Sequence, residues 1–189
     1  MPFNVDIFAS EIMKTGTLQN NKFDVRFSLP SFLFESGLTE SITLRADSVQ
    51  LPGINLDTTA VNRYGLGPRQ KVPFNVNFND NTISFIEDAK NSIWNLFHTW
   101  TTNILQYAPP GRSAPTYLMR YKKEYQTDIS IIVYNTDGLA VSQITMKEAF
   151  PISMAGVGLS WADKSNILKV NVQFTFREWY MDSPSQIVT

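Results

Sequence analysis

Ile167-Leu168-Lys169-Val170-Asn171-Val172-Gln173-Phe174-Thr175-Phe176-Arg177-Glu178-Trp179-Tyr180 is the stretch that decides the fold class. Successive side chains of an extended chain point to opposite faces. Val170, Val172, Phe174 and Phe176 therefore share one face, while Lys169, Asn171, Gln173, Thr175 and Arg177 share the other. A helix would scatter both sets around its axis, so the segment is a strand with one face on a core and the other wet. The same period recurs upstream. Phe23, Val25, Phe27 and Leu29 alternate with Asp24, Arg26 and Ser28, and Ile42, Leu44 and Ala46 repeat the spacing. Val72, Phe74, Val76 and Phe78 stand opposite Asn75, Asn77 and Asn79. Pro73 has no N–H to give a ladder and puts that strand at an edge or at its first pairing position. Gln126 to Tyr134 and Ala140 to Phe150 flank Asn135-Thr136-Asp137-Gly138, whose Asp-Gly favours a reversal, and the three together predict a hairpin.

Breakers and helical spacing fill the intervals. Pro52-Gly53 and Tyr64-Gly65-Leu66-Gly67-Pro68 predict turns and short edge segments between Leu51 and Gln70. Gly156 and Gly158 predict a bend before the polar turn at 161–166. Ile86, Ala89, Ile93, Phe97, Trp100 and Ile104 recur at three or four residues and predict one long helix over 83–105, with Ser84 and Glu87 at capping-box spacing. Ala108-Pro109-Pro110-Gly111 ends it, because neither proline can continue a helix. Val5, Phe8 and Ile12 predict a short amphipathic helix within an N-terminal arm over 1–20, and 181–189 reads as a loose tail. The expected architecture is a single mainly β domain over 1–180, with two packed antiparallel sheets (a sandwich or partial barrel) flanked by one α-helix.

Composition narrows the function more by exclusion than by indication. The 16 basic and 17 acidic residues leave a formal net charge of -1, so no overall field draws the chain to nucleic acid or an anionic membrane. The absence of cysteine removes disulfides, thiolate metal sites and thiol nucleophiles, and fits a reducing cytoplasm. The N-terminus lacks a signal-peptide pattern and no apolar run is long enough to span a bilayer, so no membrane insertion is expected. His98 is the one histidine; it sits inside the helical pattern beside the apolar stripe, away from any serine and aspartate constellation. Gly65-Leu66-Gly67-Pro68 starts like a dinucleotide loop but lacks the third glycine and the following helix. Glu87 and Asp88 are adjacent and would diverge by about 100° on a helix, too far apart for paired-carboxylate chemistry. No enzyme activity, metal or cofactor is implied. The densest basic group, Arg112 and then Arg120, Lys122 and Lys123, lies in what reads as a loop and suits a contact between subunits better than a nucleic-acid grip.

Three segments resemble the tail tube family of contractile bacteriophages, which includes the tube-initiating proteins of the baseplate. They are Ala46-Asp47-Ser48-Val49-Gln50-Leu51-Pro52-Gly53-Ile54; Phe78 to Phe85 with the helix reaching Phe97 and Trp100; and Leu159-Ser160-Trp161-Ala162-Asp163 followed by Asn166, Ile167 and the strand closing on Phe176-Arg177-Glu178-Trp179. Their order matches over most of the chain. The resemblance implies six copies in a ring, with the inner sheet of each joining its neighbours into a barrel, and rings stacked inside a sheath to form the channel through which DNA leaves the capsid. The implied partners are further copies of the chain, sheath and baseplate proteins; the implied location is the phage tail, assembled in the host cytoplasm. On that reading Asn75, Asn77, Asn79, Asn171, Gln173 and Thr175 are candidate lumen residues, since a channel for a genome should avoid the cationic stripes that bind phosphate. DNA would pass without specific binding. The alternatives are a baseplate tube initiator of the same fold and, from another class, a carbohydrate-binding β-sandwich, whose mark would be a groove with exposed aromatics and facing acids.

Overall fold

The structure, a computed structural model, describes residues 5–33, 38–62, 65, 67–106, 117–161 and 166–182. In chain order the elements are α1 (Val5–Thr15), β1 (Phe23–Phe27), a single 3-10 turn (Ser31–Leu33), α2 (Leu38–Arg45), β2 (Ala46–Val49), β3 (Ile54–Val61), β4 (Gln70–Phe78), β5 (Asn81–Ile86) and α3 (Ser92–Ile104). There follow the two-residue strands β6 (Leu105–Gln106) and β7 (Leu118–Met119), the helical turn α4 (Lys122–Tyr125), β8 (Thr127–Tyr134), β9 (Ala140–Met154), β10 (Lys169–Thr175) and β11 (Glu178–Asp182).

Two antiparallel sheets share the long strand β9. Its first half pairs with β8 on one edge and β11 on the other, and β8 pairs onward with β1. Its second half, Phe150 to Met154, pairs with β10, which continues to β5 and β2. The corner between the sheets falls at Glu148, whose φ of 54° is the left-handed conformation that a side chain disfavours. That residue is held by its own N–H to the Asp128 carboxylate at 3.3 Å, and by Lys122 and Arg177 on its carboxylate at 2.6 and 2.9 Å. The closing strand turns the same corner, so the predicted strand 167–180 is two: β10 in the second sheet and β11 in the first, with Arg177 between them.

Apolar faces of both sheets meet in one core. Val25, Phe27, Ile129, Ile131 and Met146 come from the first sheet; Ile83, Phe85, Val170, Val172 and Phe174 come from the second; Ile93, Leu96, Phe97 and Trp100 come from α3. Each large side chain fully withdrawn from water contributes about 1.5–3 kcal/mol. The rings interlock: Phe174 lies 5.8 Å from Phe97, 5.9 Å from Phe27 and 6.2 Å from Trp100, centroid to centroid. The Trp100 indole N–H, buried with its ring, donates to the Tyr125 carbonyl at 2.9 Å and ties α3 to α4.

Several expectations need correction. The helix over 83–105 begins only at Ser92, because Ile83, Phe85 and their neighbours form β5, paired with β10 and β2. The capping box of Ser84 and Glu87 does not form. Glu87 instead accepts the N–H groups of Ile93 and Trp94 at 3.0 and 2.9 Å, and Asp88 accepts Ser92 N–H at 2.7 Å, so two carboxylates outside the helix cap its first turn. Ile42 and Leu44 lie on α2, and only from Ala46 does the chain extend. The region expected to hold turns and short edges contains the eight-residue strand β3. Met181 and Asp182 pair in β11 rather than starting the tail. The hairpin at Asn135 to Gly138 forms as read: the Asn135 side chain accepts the N–H groups of Asp137 and Leu139 at 2.9 Å, and Gly138 takes φ 80°.

Candidate functional site

Nothing in the described residues gathers catalytic chemistry. No group of three or more His, Cys, Asp or Glu among them could hold a metal, and His98 is exposed on the outer side of α3. No helix among them is long and apolar enough to cross a membrane. The candidate site is therefore surface: a sheet face, a projecting hairpin and the strand edges.

The outward face of the second sheet is built by alternation against the core. With Val170, Val172 and Phe174 turned inward, Asn171 and Gln173 face out; on β5 Thr82 and Ser84 take the same face between Ile83 and Phe85, Thr82 exposed and Ser84 buried by its neighbours. Register sets them in rows, Ser48 beside Ser84 beside Asn171, and Thr82 beside Gln173 beside Ser153. The result is a patch of hydroxyls and amides. Its charges lie at the margins: Lys169 pairs with Asp47 at 2.7 Å, and Asp80 accepts the Gln173 amide at 3.2 Å. Thr175 ends the row differently, half-buried and paired with Phe150, whose ring meets Tyr125 at 5.2 Å. Ser84 falls within the stretch 83–105 whose spacing predicts a helix, which hides its place in this row.

The sheet is open at both sides. β2 is paired along one edge by β5, and Phe150 to Met154 along one edge by β10; among the described residues neither has a partner on the other edge. Such edges present unpaired backbone groups to another chain.

Asn75, Asn77 and Asn79 are placed elsewhere, on the β3–β4 hairpin, which forms a two-stranded sheet of its own. They lie beside Asn55 and Asp57. The Asp57 carboxylate accepts both Asn75 and Asn77 amides, and Asn55 donates to Asn79 at 3.1 Å. Asp57 puts a negative charge on this face. The opposite face carries Ile54, Leu56, Phe74 and Val76, all exposed, with Phe74 68% accessible. Leu56, Pro73, Phe74, Asn75 and Val76 line a shallow groove of about 520 Å³ there.

The basic group divides. Arg120 stacks over the Phe32 ring at 5.6 Å, reaches Asn103 at 3.4 Å and pairs with Glu124 at 3.6 Å, so it fastens the chain to the end of α3. Lys122 lies on α4 and is engaged by Glu148. Lys123 is exposed on the same turn, and Arg112 falls outside the described residues. Lys122, with Arg177 after it, holds the Glu148 carboxyl below its ordinary range, and Asp128, with Tyr180 after it, holds the Lys147 ammonium above its own.

No protein of curated function matches the sequence. Among solved structures the chain is similar to one in the 6-fold symmetrised baseplate of the anti-feeding prophage, with 13% identity over 90% of this chain and 98% of that one and a TM-score of 0.63. It is also similar to a chain of the PVC sheath-tube complex, an extracellular contractile injection system in its extended state, with 17% identity over 92% and 97% of the two chains and a TM-score of 0.57. A chain of the tube-terminating cap of the anti-feeding prophage gives 17% identity over 88% and 91%, with a TM-score of 0.61. At these identities the likeness is one of fold. The sequence profile of the family described as "Phage tail tube protein" matches residues 18–182, most of the chain, and this protein belongs to that family.

Proposed function

We propose that this chain is the repeating subunit of the inner tube of a contractile phage tail. Six copies form each ring, the edge of β2 in one copy joining Phe150 to Met154 in the next, so that the second sheets close into a barrel. The rings stack, the sheath packs outside them, the baseplate starts them, and DNA passes down the channel without specific binding. The assembled tail belongs to the virion and is put together in the host cytoplasm, with no insertion of this chain into a membrane.

The observation that carries this reading is the second sheet itself: one face sealed by core, the other a charge-poor patch centred on Asn171 and Gln173, with both edges open. A cationic lining would bind phosphate at each Lys or Arg and slow a genome, whereas hydroxyls and amides exchange their hydrogen bonds with water. Thr175 belongs to the rim of this lining. The hairpin amides Asn75, Asn77 and Asn79 serve at its mouth rather than within the barrel. Lys123 serves as an outward cation at the subunit contact, and Arg112 is proposed for the same role from the sequence alone.

Electron microscopy of the purified protein tests the reading. Hollow tubes of six-fold rings are expected, and a protein that stays monomeric at every concentration and salt tried would refute it. A tube initiator at the baseplate is the second reading, favoured by the similarity to a baseplate chain along 98% of that chain's length. Rings that never elongate would select it.

A further inference from the structure

The register of the second sheet places two exposed apolar surfaces at opposite ends of its strands. At one end Ala46 pairs with Phe85 and Lys169 with Ile86; at the other Val49 pairs with Ile83 and Phe174 with Asn81. The hairpin springs from the second end, since β3 follows β2 through the Gln50 to Gly53 turn and β4 leads into Asn81. Its base is pinned there by the Trp179 indole on the Gly53 carbonyl at 3.4 Å and by the Phe78 and Phe176 rings at 6.1 Å. The described residues of the connection from β9 to β10, 155–161 and 166–168, lie at the first end, where Ala155 N–H still bonds Asn171 O at 2.9 Å before the chain leaves the sheet. It exposes Leu159, Ile167 and the whole of Trp161 beside a groove formed by 157–160 and 166–169. A strand of this length separates the two ends by about 20 Å.

From this placement we infer that the Trp161 segment of one copy seats on the Leu56, Phe74 and Val76 face of the hairpin of the next copy along the strand direction. The occupant is a second copy of this chain for three reasons. The hairpin's polar face is already satisfied by its own amide network around Asp57, so the apolar face is the one left to cover. The two surfaces are different and stand at opposite ends, so joining them head to tail repeats without limit; a two-fold contact would meet surface with like surface. Finally, a fully exposed tryptophan is the side chain that most often anchors a protein contact when it finds a pocket. The inference rests on the tube reading and adds to it the residues that hold one ring on the next.

Because the chain has no cysteine, a cross-linking test has a clean background. Chains carrying Leu56→Cys are mixed with chains carrying Leu159→Cys, which leaves Phe74 and Trp161 in place, and the assembled material is oxidised. The expected product is the mixed dimer, with Trp161→Ala raising the protein concentration needed for stacking tenfold or more, Trp161→Phe recovering part of it, and isolated rings unaffected. Tubes that form without mixed cross-links, or that form at the ordinary concentration from Trp161→Ala chains, overturn this contact and leave the tube reading standing. Cross-linking of Leu159→Cys chains to one another overturns it in favour of a two-fold contact. A wild-type chain that forms neither rings nor tubes overturns both.

Discussion

Two phenylalanines in alternating strands, Phe174 on β10 and Phe74 on β4, separate what holds the fold from what awaits a partner. Phe174 is fully buried, with rings of Phe27, Phe97 and Trp100 around it at 5.8 to 6.2 Å. Phe174→Ala removes the transfer energy of the ring and leaves a cavity walled by rigid aromatics, a loss of about 3–5 kcal/mol. With a urea slope of about 2 kcal/mol per molar, the unfolding midpoint falls by about 2 M. Phe74 is 68% exposed on a hairpin that pairs with no strand of either main sheet, so Phe74→Ala changes the isolated chain by about 0.5 kcal/mol or less. Its cost appears on assembly. Covering the remaining ring is worth about 1–2 kcal/mol, and each 1.4 kcal/mol shifts an association constant about tenfold. Urea melts followed by tryptophan fluorescence, below the concentration at which the protein assembles, measure the first effect; pelleting across a concentration series measures the second. If Phe74→Ala lowers the melt as far as Phe174→Ala does, the hairpin folds onto its own subunit and the reasoning about an unpartnered face fails.

Other outcomes follow from the same contacts. Glu87→Ala deprives the N–H groups of Ile93 and Trp94 of their acceptor and should cost about 1–2 kcal/mol in chemical denaturation, with Glu87→Gln recovering part. Glu148→Gly should melt higher than Glu148→Ala, since both lose the ion pairs to Lys122 and Arg177 but only glycine is at ease with a φ of 54°; equal melting temperatures would contradict this account of the corner. Asp88, through the Ser92 N–H first and its hydroxyl next, is held below its ordinary value of 3.8, and Glu148 below 4.5. Both contributions are complete above those values and are lost as pH falls through the lower folded values, so the thermal midpoint should decline below about pH 4. Lys147 is raised above 10.5 by Asp128 and then Tyr180, so its share is present below that pH and is lost as pH climbs past the folded value. Asn171→Lys combined with Gln173→Lys should leave tube assembly intact and slow DNA ejection in a manner relieved by added salt; normal ejection from such particles would remove these residues from the lumen.

The sequence carried β1, β8 to β10 and the Asn135 turn openly, because each has a strict two-residue period or a turn residue with a conformational reason. It misled at 83–86. Ile83, Phe85 and Ile86 fit a helical stripe with Ile93 and Phe97 as well as they fit a strand, and a short apolar run has no period of its own to decide the matter. What decided it was tertiary: β10 and β2 offer ladders on both edges, and Glu87 and Asp88 are more useful as acceptors for the N–H groups of the helix that follows. The eight residues of β3 were hidden for a different reason. Ile54-Asn55-Leu56-Asp57 alternates but Thr58-Thr59-Ala60 does not; beyond Asp57 the ladder slips by one, Thr58 facing Pro73 with Phe74 as the extra residue of a bulge on β4, and no single period runs the length of β3 to reveal it.

β4 and β10 show where legibility has its physical limit. Val72, Phe74, Val76 and Phe78 alternate with amides as cleanly as Val170, Val172, Phe174 and Phe176 do, and both readings as strands hold. Yet Val172 and Phe174 are sealed by their own chain, while Phe74 and Val76 face solvent. Alternation records that a face must be covered; it does not record which chain covers it. For a protein that folds to completion alone the two statements coincide. In this chain of the tail tube family they separate, and the separation falls on the hairpin inferred above to meet another copy. The signs that told the strands apart were small ones: Pro73 withholding a donor from the ladder, and the breakers Pro52-Gly53 where the hairpin leaves the body. An apolar strand bearing a proline and framed by breakers, in a chain of the phage tail tube family, is for that reason the place to look first for the neighbour.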